Sequence, residues 1–144
     1  DFPLVLGATE GESMTVVRAT GGKAVAIQGE VAGLPDLNAG AALLWQGAEA
    51  GNMLILGFPI SLATKAEIRA RFLIGPGSPQ VQVYLDGRPI GEPVSLAAPK
   101  LGTQSFSLGI HELSARDHRL TLKAEGAGPV GLDYLEFAPV ATAE

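Results

Sequence analysis

The chain contains no cysteine. Disulfide frameworks, thiolate metal sites and cysteine nucleophiles are excluded together, so stability has to come from a packed core. Histidine is scarce, with only His111 and His118 among 144 residues. Two histidines cannot build a three-histidine zinc site, and neither stands in an H-E-x-x-H pattern. Charge is thin: 17% of residues are charged, against about 25% in an ordinary globular chain. The net charge of −5 leaves out the basic field on which sequence-independent nucleic-acid binding depends. No apolar run approaches the roughly 18 residues of a membrane-spanning helix. No stretch of about ten residues carries the helical period either.

What is present is apolar surface. Hydrophobic residues make up 47% of the chain, enough to bury a real core and to exclude disorder of the whole chain. The length suits one domain of roughly 100 to 200 residues, here expected over 1–138, with 139–144 as a tail or the start of a linker. The first residue is Asp1, with no charged n-region or apolar h-region after it, which reads as a mature or excised segment.

The periodicity is that of strands. Ala66, Ile68, Ala70, Phe72 and Ile74 alternate with Glu67, Arg69 and Arg71. Val81, Val83 and Leu85 alternate with Gln80, Gln82 and Tyr84, and Leu120, Leu122 and Ala124 with Arg119, Thr121 and Lys123. Such a period of two puts one face on a core and the other in solvent, as in antiparallel sheets. Further strands are expected over Met14 to Arg18, Ala24 to Gln28, Ala42 to Gln46, Met53 to Phe58, Phe106 to Ile110 and Leu132 to Phe137, about nine or ten in all. Asp86-Gly87 directly after a strand is a hairpin signal, because a type I′ turn needs positive φ at both central residues. Pro89 removes a ladder donor and predicts an edge or irregular segment after that turn. Gly75 to Pro79, Gly126 to Pro129 and the longer Gly33 to Gly40 read as loops. The fold class is all-β, an antiparallel sandwich.

Several short motifs recur in a familiar order. Glu10-Gly11-Glu12 is followed by Gly21-Gly22, by a strand pair around Leu44-Trp45 and Met53 to Phe58, and by Ala66 to Phe72. Then come Val81-Gln82-Val83-Tyr84-Leu85-Asp86-Gly87, His118-Arg119-Leu120-Thr121 and Gly131-Leu132-Asp133-Tyr134-Leu135-Glu136-Phe137. Over roughly residues 9 to 138 this resembles the non-catalytic carbohydrate-binding modules of the galactose-binding-like jelly-roll superfamily, as appended to secreted bacterial glycoside hydrolases. The resemblance implies a jelly roll of two sheets, a sugar ligand, a catalytic domain in the same polypeptide and a secreted, periplasmic or extracellular location. It also implies that carboxylates of the first and last strands, here Glu10, Glu12 and Asp133, can hold a structural calcium ion; the alternative is that Glu10 and Glu12 are solvated and Asp133 caps a turn or pairs with an arginine. Calcium takes six to eight oxygen ligands, which three carboxylates and loop carbonyls would supply.

A sugar ring is recognised by an aromatic face on its C–H face and a few polar groups that fix its orientation. Trp45 stands at a strand end before Gln46-Gly47, where a loop would present it; equally, it shares the face of Leu43 and would fill the core. Gln80, Gln82 and Tyr84 form an outward stripe, and Arg69, Arg71 and Glu67 a second one. Were the two strands neighbours, the joint surface would offer guanidinium and amide donors to sugar hydroxyls. The alternative for both stripes is a solvated outer face. His111, Asp117, His118 and Ser114 are too local for a catalytic triad and lack a Gly-x-Ser-x-Gly elbow. Asp86 and Glu92 are the only suggestion of a glycosidase carboxylate pair, and the hairpin turn already explains Asp86. The other functional class is a structural accessory sandwich that packs on a neighbouring domain or on copies of itself.

Overall fold

The computed structural model describes residues 8–28, 37 and 41–140. The side chains of Glu10 and Glu12 fall outside this description, as does the 33–40 loop apart from Leu37. Eleven strands are described: β1 (Ala8–Glu10), β2 (Thr15–Ala19), β3 (Lys23–Gln28), β4 (Ala41–Gln46), β5 (Met53–Pro59), β6 (Thr64–Ile74), β7 (Gln80–Leu85), β8 (Arg88–Ser95), β9 (Gly102–Leu113), β10 (Asp117–Ala124) and β11 (Val130–Pro139). The described helical residues are one 3₁₀ turn, Gly11–Ser13.

The strands form two antiparallel sheets. One runs β3-β4-β11-β6-β9, with β1 also pairing β11, and the other runs β2-β5-β10-β7-β8. The alternating residues read from the sequence meet between them. Ile68, Phe72, Val81, Leu120, Leu122 and Leu132 are all at most 1% exposed, and burial of each such side chain stabilises by about 1.5–3 kcal/mol.

Alternation gave no strand at β1, where only the resemblance implied one, and left the segment after Pro89 as edge or irregular. That segment is β8, an edge strand of its sheet; it carries Pro89 and Pro93, which only an edge tolerates. Its irregularity has a consequence for β7. Val81 pairs Val94 while Val83 pairs Ile90, so three residues of β8 face Gln82 alone. Gly91, at φ +65, lets the strand bulge there, and Gln82 is covered instead of open.

Two further departures from simple alternation have local causes. Leu73, on the outer face of its sheet, is buried with Leu37 and Ala42 in a small second cluster, and a Cβ on Gly131 would come within 2.8 Å of it. Between Leu132 and Tyr134 the register of β11 against β6 shifts, and the extra residue is Asp133, wholly buried.

Candidate functional site

The outer face of the five-stranded sheet follows from its register. Thr121 on β10 stands opposite Tyr84 on β7 and opposite Ile55 on β5. One step along the strands, Arg119 faces Gly57, which in turn faces Thr15 of β2. Successive outward residues on one strand are about 6.7 Å apart, so the two rows lie side by side across the face. Each row encloses a hollow. One, of about 210 Å³, is lined by Met53, Ile55, Tyr84, Gly87 and Thr121. The second, of about 280 Å³, is lined by residues that include Thr15, Val17, Gly57, Asp117 and Arg119. Gly57 makes that second hollow, because a Cβ there would already touch Val17 and Thr15 at 3.6 and 3.7 Å. The face thus offers one aromatic ring with aliphatic neighbours beside a polar recess. This suits a ligand that presents an apolar ring face and hydroxyls together.

The structure separates the residues that the sequence put forward. Tyr84 lies on this face, partly exposed, and Gln80 is exposed at the start of the same strand. Gln82 points the same way but is 9% exposed. Its amide donates to the carbonyls of Val83 at 3.0 Å and of Ile90 and Gly91 at 3.4 Å, so it fastens β7 to the bulge of β8. Arg69 and Arg71 are on the other sheet, and the joint surface envisaged for neighbouring strands is not formed. Their own sheet engages them. Arg69 donates to Glu67 at 2.8 Å and stands 3.9 Å from Glu136, while Arg71 donates to Thr103 at 2.6 Å and lies 3.6 Å from Asp133. The Ser107 hydroxyl, donating at 2.7 Å, and then Arg69 hold the Glu67 carboxyl below its ordinary range.

Trp45 is 0% exposed, and its indole N–H donates to the Gly21 carbonyl at 2.8 Å. Of the two options open for this residue in the sequence, it occupies the core one. The Gly21-Gly22 turn is built around it: Gly22 has φ +72, and a Cβ there would sit 2.4 Å from the Gln46 carbonyl and 2.8 Å from the indole nitrogen.

At the opposite end of the sandwich Asp86 does more than turn a hairpin. It adopts φ 50, with Gly87 at 85, as a type I′ turn requires. Its carboxylate also accepts from His118 Nδ1 at 2.6 Å, the Arg119 amide at 2.8 Å and Arg116 at 3.3 Å. Burial pushes the Asp86 carboxyl up, but the His118 bond, the Arg119 amide and the two basic side chains together hold it below the usual carboxylate range. His118 is 2% exposed, stacks on Phe58 and reaches the Ser114 carbonyl with Nε2 at 2.8 Å. The Ser114 hydroxyl accepts from Arg116 at 2.9 Å, and it is the backbone carbonyl of that serine that His118 meets.

Glu10 pairs Tyr134 across β1 and β11, which places it beside Asp133, and Glu12 lies in the 3₁₀ turn that follows. A Cβ on Gly11 would meet the Leu132 carbonyl at 2.3 Å, so this turn packs directly on the bulge. The backbone therefore gathers the three acidic residues at one junction. Among the described residues no group of three or more acidic, histidine or cysteine side chains is placed to hold a metal ion.

No protein-family model matches the chain, and no curated protein matches it. Solved structures do. A xanthan lyase from Paenibacillus matches with a TM-score of 0.79 at 14% identity, over 96% of this chain and 13% of the lyase. The Podospora anserina GH26-CBM35 β-(1,4)-mannanase matches with a TM-score of 0.64 at 13% identity, over 95% of this chain and 28% of the enzyme. A family 6 carbohydrate-binding module matches with a TM-score of 0.60 at 14% identity, over 96% of both chains. The chain thus spans well under a third of each of these two enzymes. At these identities the likeness is one of architecture: this chain has the jelly-roll β-sandwich fold found in carbohydrate-binding modules.

Proposed function

We propose that the domain is a non-catalytic carbohydrate-binding module that takes a polysaccharide along the outer face of the β2-β5-β10-β7-β8 sheet. The observation that carries this reading is the pair of hollows on that face, one floored by Tyr84 and its aliphatic neighbours and the other rimmed by Arg119 and Asp117. Tyr84 would stack on a sugar ring, and Thr121, Thr15, Arg119 and Asp117 would take hydroxyls as donors and acceptors. The open, shallow form suits weak binding per site, which becomes useful when the module is tethered to an enzyme working on the same polymer. The matched xanthan lyase and mannanase, of which the fold is 13% and 28%, support such a place beside a catalytic domain, and with it an extracellular location. No helix among the described residues is long and apolar enough to cross a membrane.

A structural calcium ion belongs to the same reading. Carboxylate oxygens are the donor type calcium prefers, and the backbone brings Glu10 and Glu12 to the wholly buried Asp133. The ion would supply charge balance and a bond between the N-terminal turn and β11; a chelator should then lower the melting temperature, and added calcium restore it.

The competing reading, a packing domain without a ligand, calls for a contiguous apolar patch. Among the described residues the exposed large apolar ones lie on β2, β3, β9 and two loops, as Val16 and Val17, Val25, Ile110, Leu62 and Leu101. Affinity electrophoresis against a panel of soluble polysaccharides tests the proposal. Retardation by at least one polymer, lost in Tyr84→Ala and in Gly57→Leu, supports it. Retardation by none, or retention unchanged in both variants, overturns it.

A further inference from the structure

Both ring nitrogens of the buried His118 meet an oxygen. Nδ1 lies 2.6 Å from the Asp86 carboxylate and Nε2 lies 2.8 Å from the Ser114 carbonyl. Neither oxygen has a proton to give. A backbone carbonyl only accepts. Burial pushes the Asp86 carboxyl up, yet the His118 bond and the Arg119 amide hold it below the usual carboxylate range, so it too is acceptor-only. A neutral imidazole has one N–H and one lone pair. Whichever nitrogen kept the single proton, the other would aim a lone pair at an oxygen in hydrogen-bond range. With the ring 2% exposed, water is not there to relieve it. Turning the ring over would only set carbon atoms against both oxygens. The arrangement is therefore that of the doubly protonated ring, in which both nitrogens donate.

The groups packed around the ring fit this charge. Asp86, on the β7–β8 turn, supplies the facing anion. Arg116, in the β9–β10 connection, opposes a second cation, but its guanidinium is drawn onto the same Asp86 oxygen at 3.3 Å and onto the Ser114 hydroxyl at 2.9 Å. Lys65 of β6 and Glu112 of β9 line the hollow of about 470 Å³ beside the ring, and their charges are opposite. So are those of Asp117 and Arg119, its neighbours on β10. Phe58 of β5 stacks on the ring with centroids 5.7 Å apart and adds no charge.

We infer that His118 is a pH-operated latch: doubly protonated, it fastens the β9–β10 connection to the β7–β8 turn, and loss of one proton releases that connection. The bond to Asp86 is the one kept, because it is the shorter and its acceptor is charged. Nε2 then holds the lone pair, and the Ser114 carbonyl has to move away from it. That carbonyl is not orphaned by the move, since it also accepts from the Arg116 amide at 3.0 Å. The far side of the connection stays tied, through the Ile60 amide donating to the Arg116 carbonyl at 2.9 Å. The change is thereby confined to residues 114–116. Its sign is opposite to that of the Asp86 carboxyl: the latch is closed at low pH and opens as pH rises through the titration of the ring. The inference uses nothing from the carbohydrate-binding reading and stands apart from it.

The test is NMR of the intact chain, following the imidazole nitrogens of His118 and the backbone amides together as pH is raised. The expected result is that Nε2, and not Nδ1, acquires the lone pair, and that the amides of residues 114–116 move with the same midpoint. His111→Gln removes the other histidine of the chain and should leave this transition in place. Asp86→Asn keeps an acceptor for Nδ1 but removes the charge, and should lower the midpoint by at least about one pH unit. The inference is overturned if Nδ1 is the nitrogen that loses its proton, or if residues 114–116 stay still while the ring titrates. It is equally overturned if their transition vanishes in His111→Gln, or if the midpoint is unmoved in Asp86→Asn.

Discussion

The two ends of this sandwich are closed by different chemistry. At one end the closure is one of shape. Trp45 is buried under the Gly21-Gly22 turn, and Gly128 approaches so closely that a Cβ would stand 2.1 Å from the Gly77 carbonyl. The contacts are neutral and leave no room for a side chain at either position. At the other end the closure is ionic. Asp86, His118 and Arg116 tie the β7–β8 turn to the start of β10, and two hollows remain beside them. A closure by shape is rigid, indifferent to pH and has no vacancy to offer. An ionic closure depends on pH, tolerates open space and leaves charged groups facing it. The contrast sets a closure with no titrating group at the first end against one built on a carboxylate and two basic side chains at the second.

The sharpest way to break this comparison is to truncate the shape-closed end. Trp45→Ala should destabilise by about 4 kcal/mol, from the lost volume and from a Gly21 carbonyl deprived of its donor. Urea unfolding should show the midpoint falling without a change of slope. Gly22→Ala comes next, at about 3 kcal/mol. It forces a side chain into the left-handed region and against the Gln46 carbonyl. Both losses should be the same at pH 7 and at pH 4, because no titrating group takes part. A loss that shrank in acid would mean that this end is held by charge after all.

The ionic end should behave in the opposite way. Asp86→Asn keeps a residue that accepts positive φ but removes the charge that three donors share, and it should cost about 2 kcal/mol at neutral pH. The acid limb supplies the second readout. The Asp86 carboxyl is depressed in the folded chain, so the unfolded chain binds its proton more readily. The resulting stabilisation is complete above the unfolded value of about 3.9 and is lost as pH falls through the lower folded value. The parent chain should therefore lose stability below about pH 4 more steeply than Asp86→Asn. Parallel acid limbs for the two would show that the carboxylate contributes nothing through its charge.

Local pattern in the sequence carried the strands, and it did so because alternation and turn chemistry are properties of neighbouring residues. Val81 to Leu85 followed by Asp86-Gly87 is a hairpin in sequence and in space. What stayed hidden depends on partners far along the chain. Alternation sends Gln82 outward, and only the three-residue bulge of β8 explains its burial. The Trp45 strand fits core and site equally well, and a carbonyl 24 residues earlier decides. Whether the Arg69 and Arg71 stripe joins that of Tyr84 depends on sheet order, and β6 and β7, though consecutive, belong to different sheets. The candidate site was half visible. Tyr84 was singled out, whereas the recess beside it is made by Gly57, a residue with no side chain to notice, and by Arg119, which alternation had marked only as outward. The Asp86 turn concealed a bond to a histidine 32 residues on.

The smallest effect on stability is expected midway between the two ends, and it is the one that bears most on function. Tyr84 is on an outer face and partly exposed, and its truncation opens no cavity in the core between the sheets. Tyr84→Ala should therefore change stability by less than about 1 kcal/mol, against about 4 for the other candidate aromatic, Trp45. If its ring is the platform on which a sugar stacks, the same substitution should remove polysaccharide retention while the acid limb and the urea midpoint stay in place. Tyr84→Phe should keep most of the binding, because stacking needs the ring and not the hydroxyl. A loss of binding in Tyr84→Phe as large as in Tyr84→Ala would assign recognition to the hydroxyl, and the face would then be a polar contact surface and not a stacking platform.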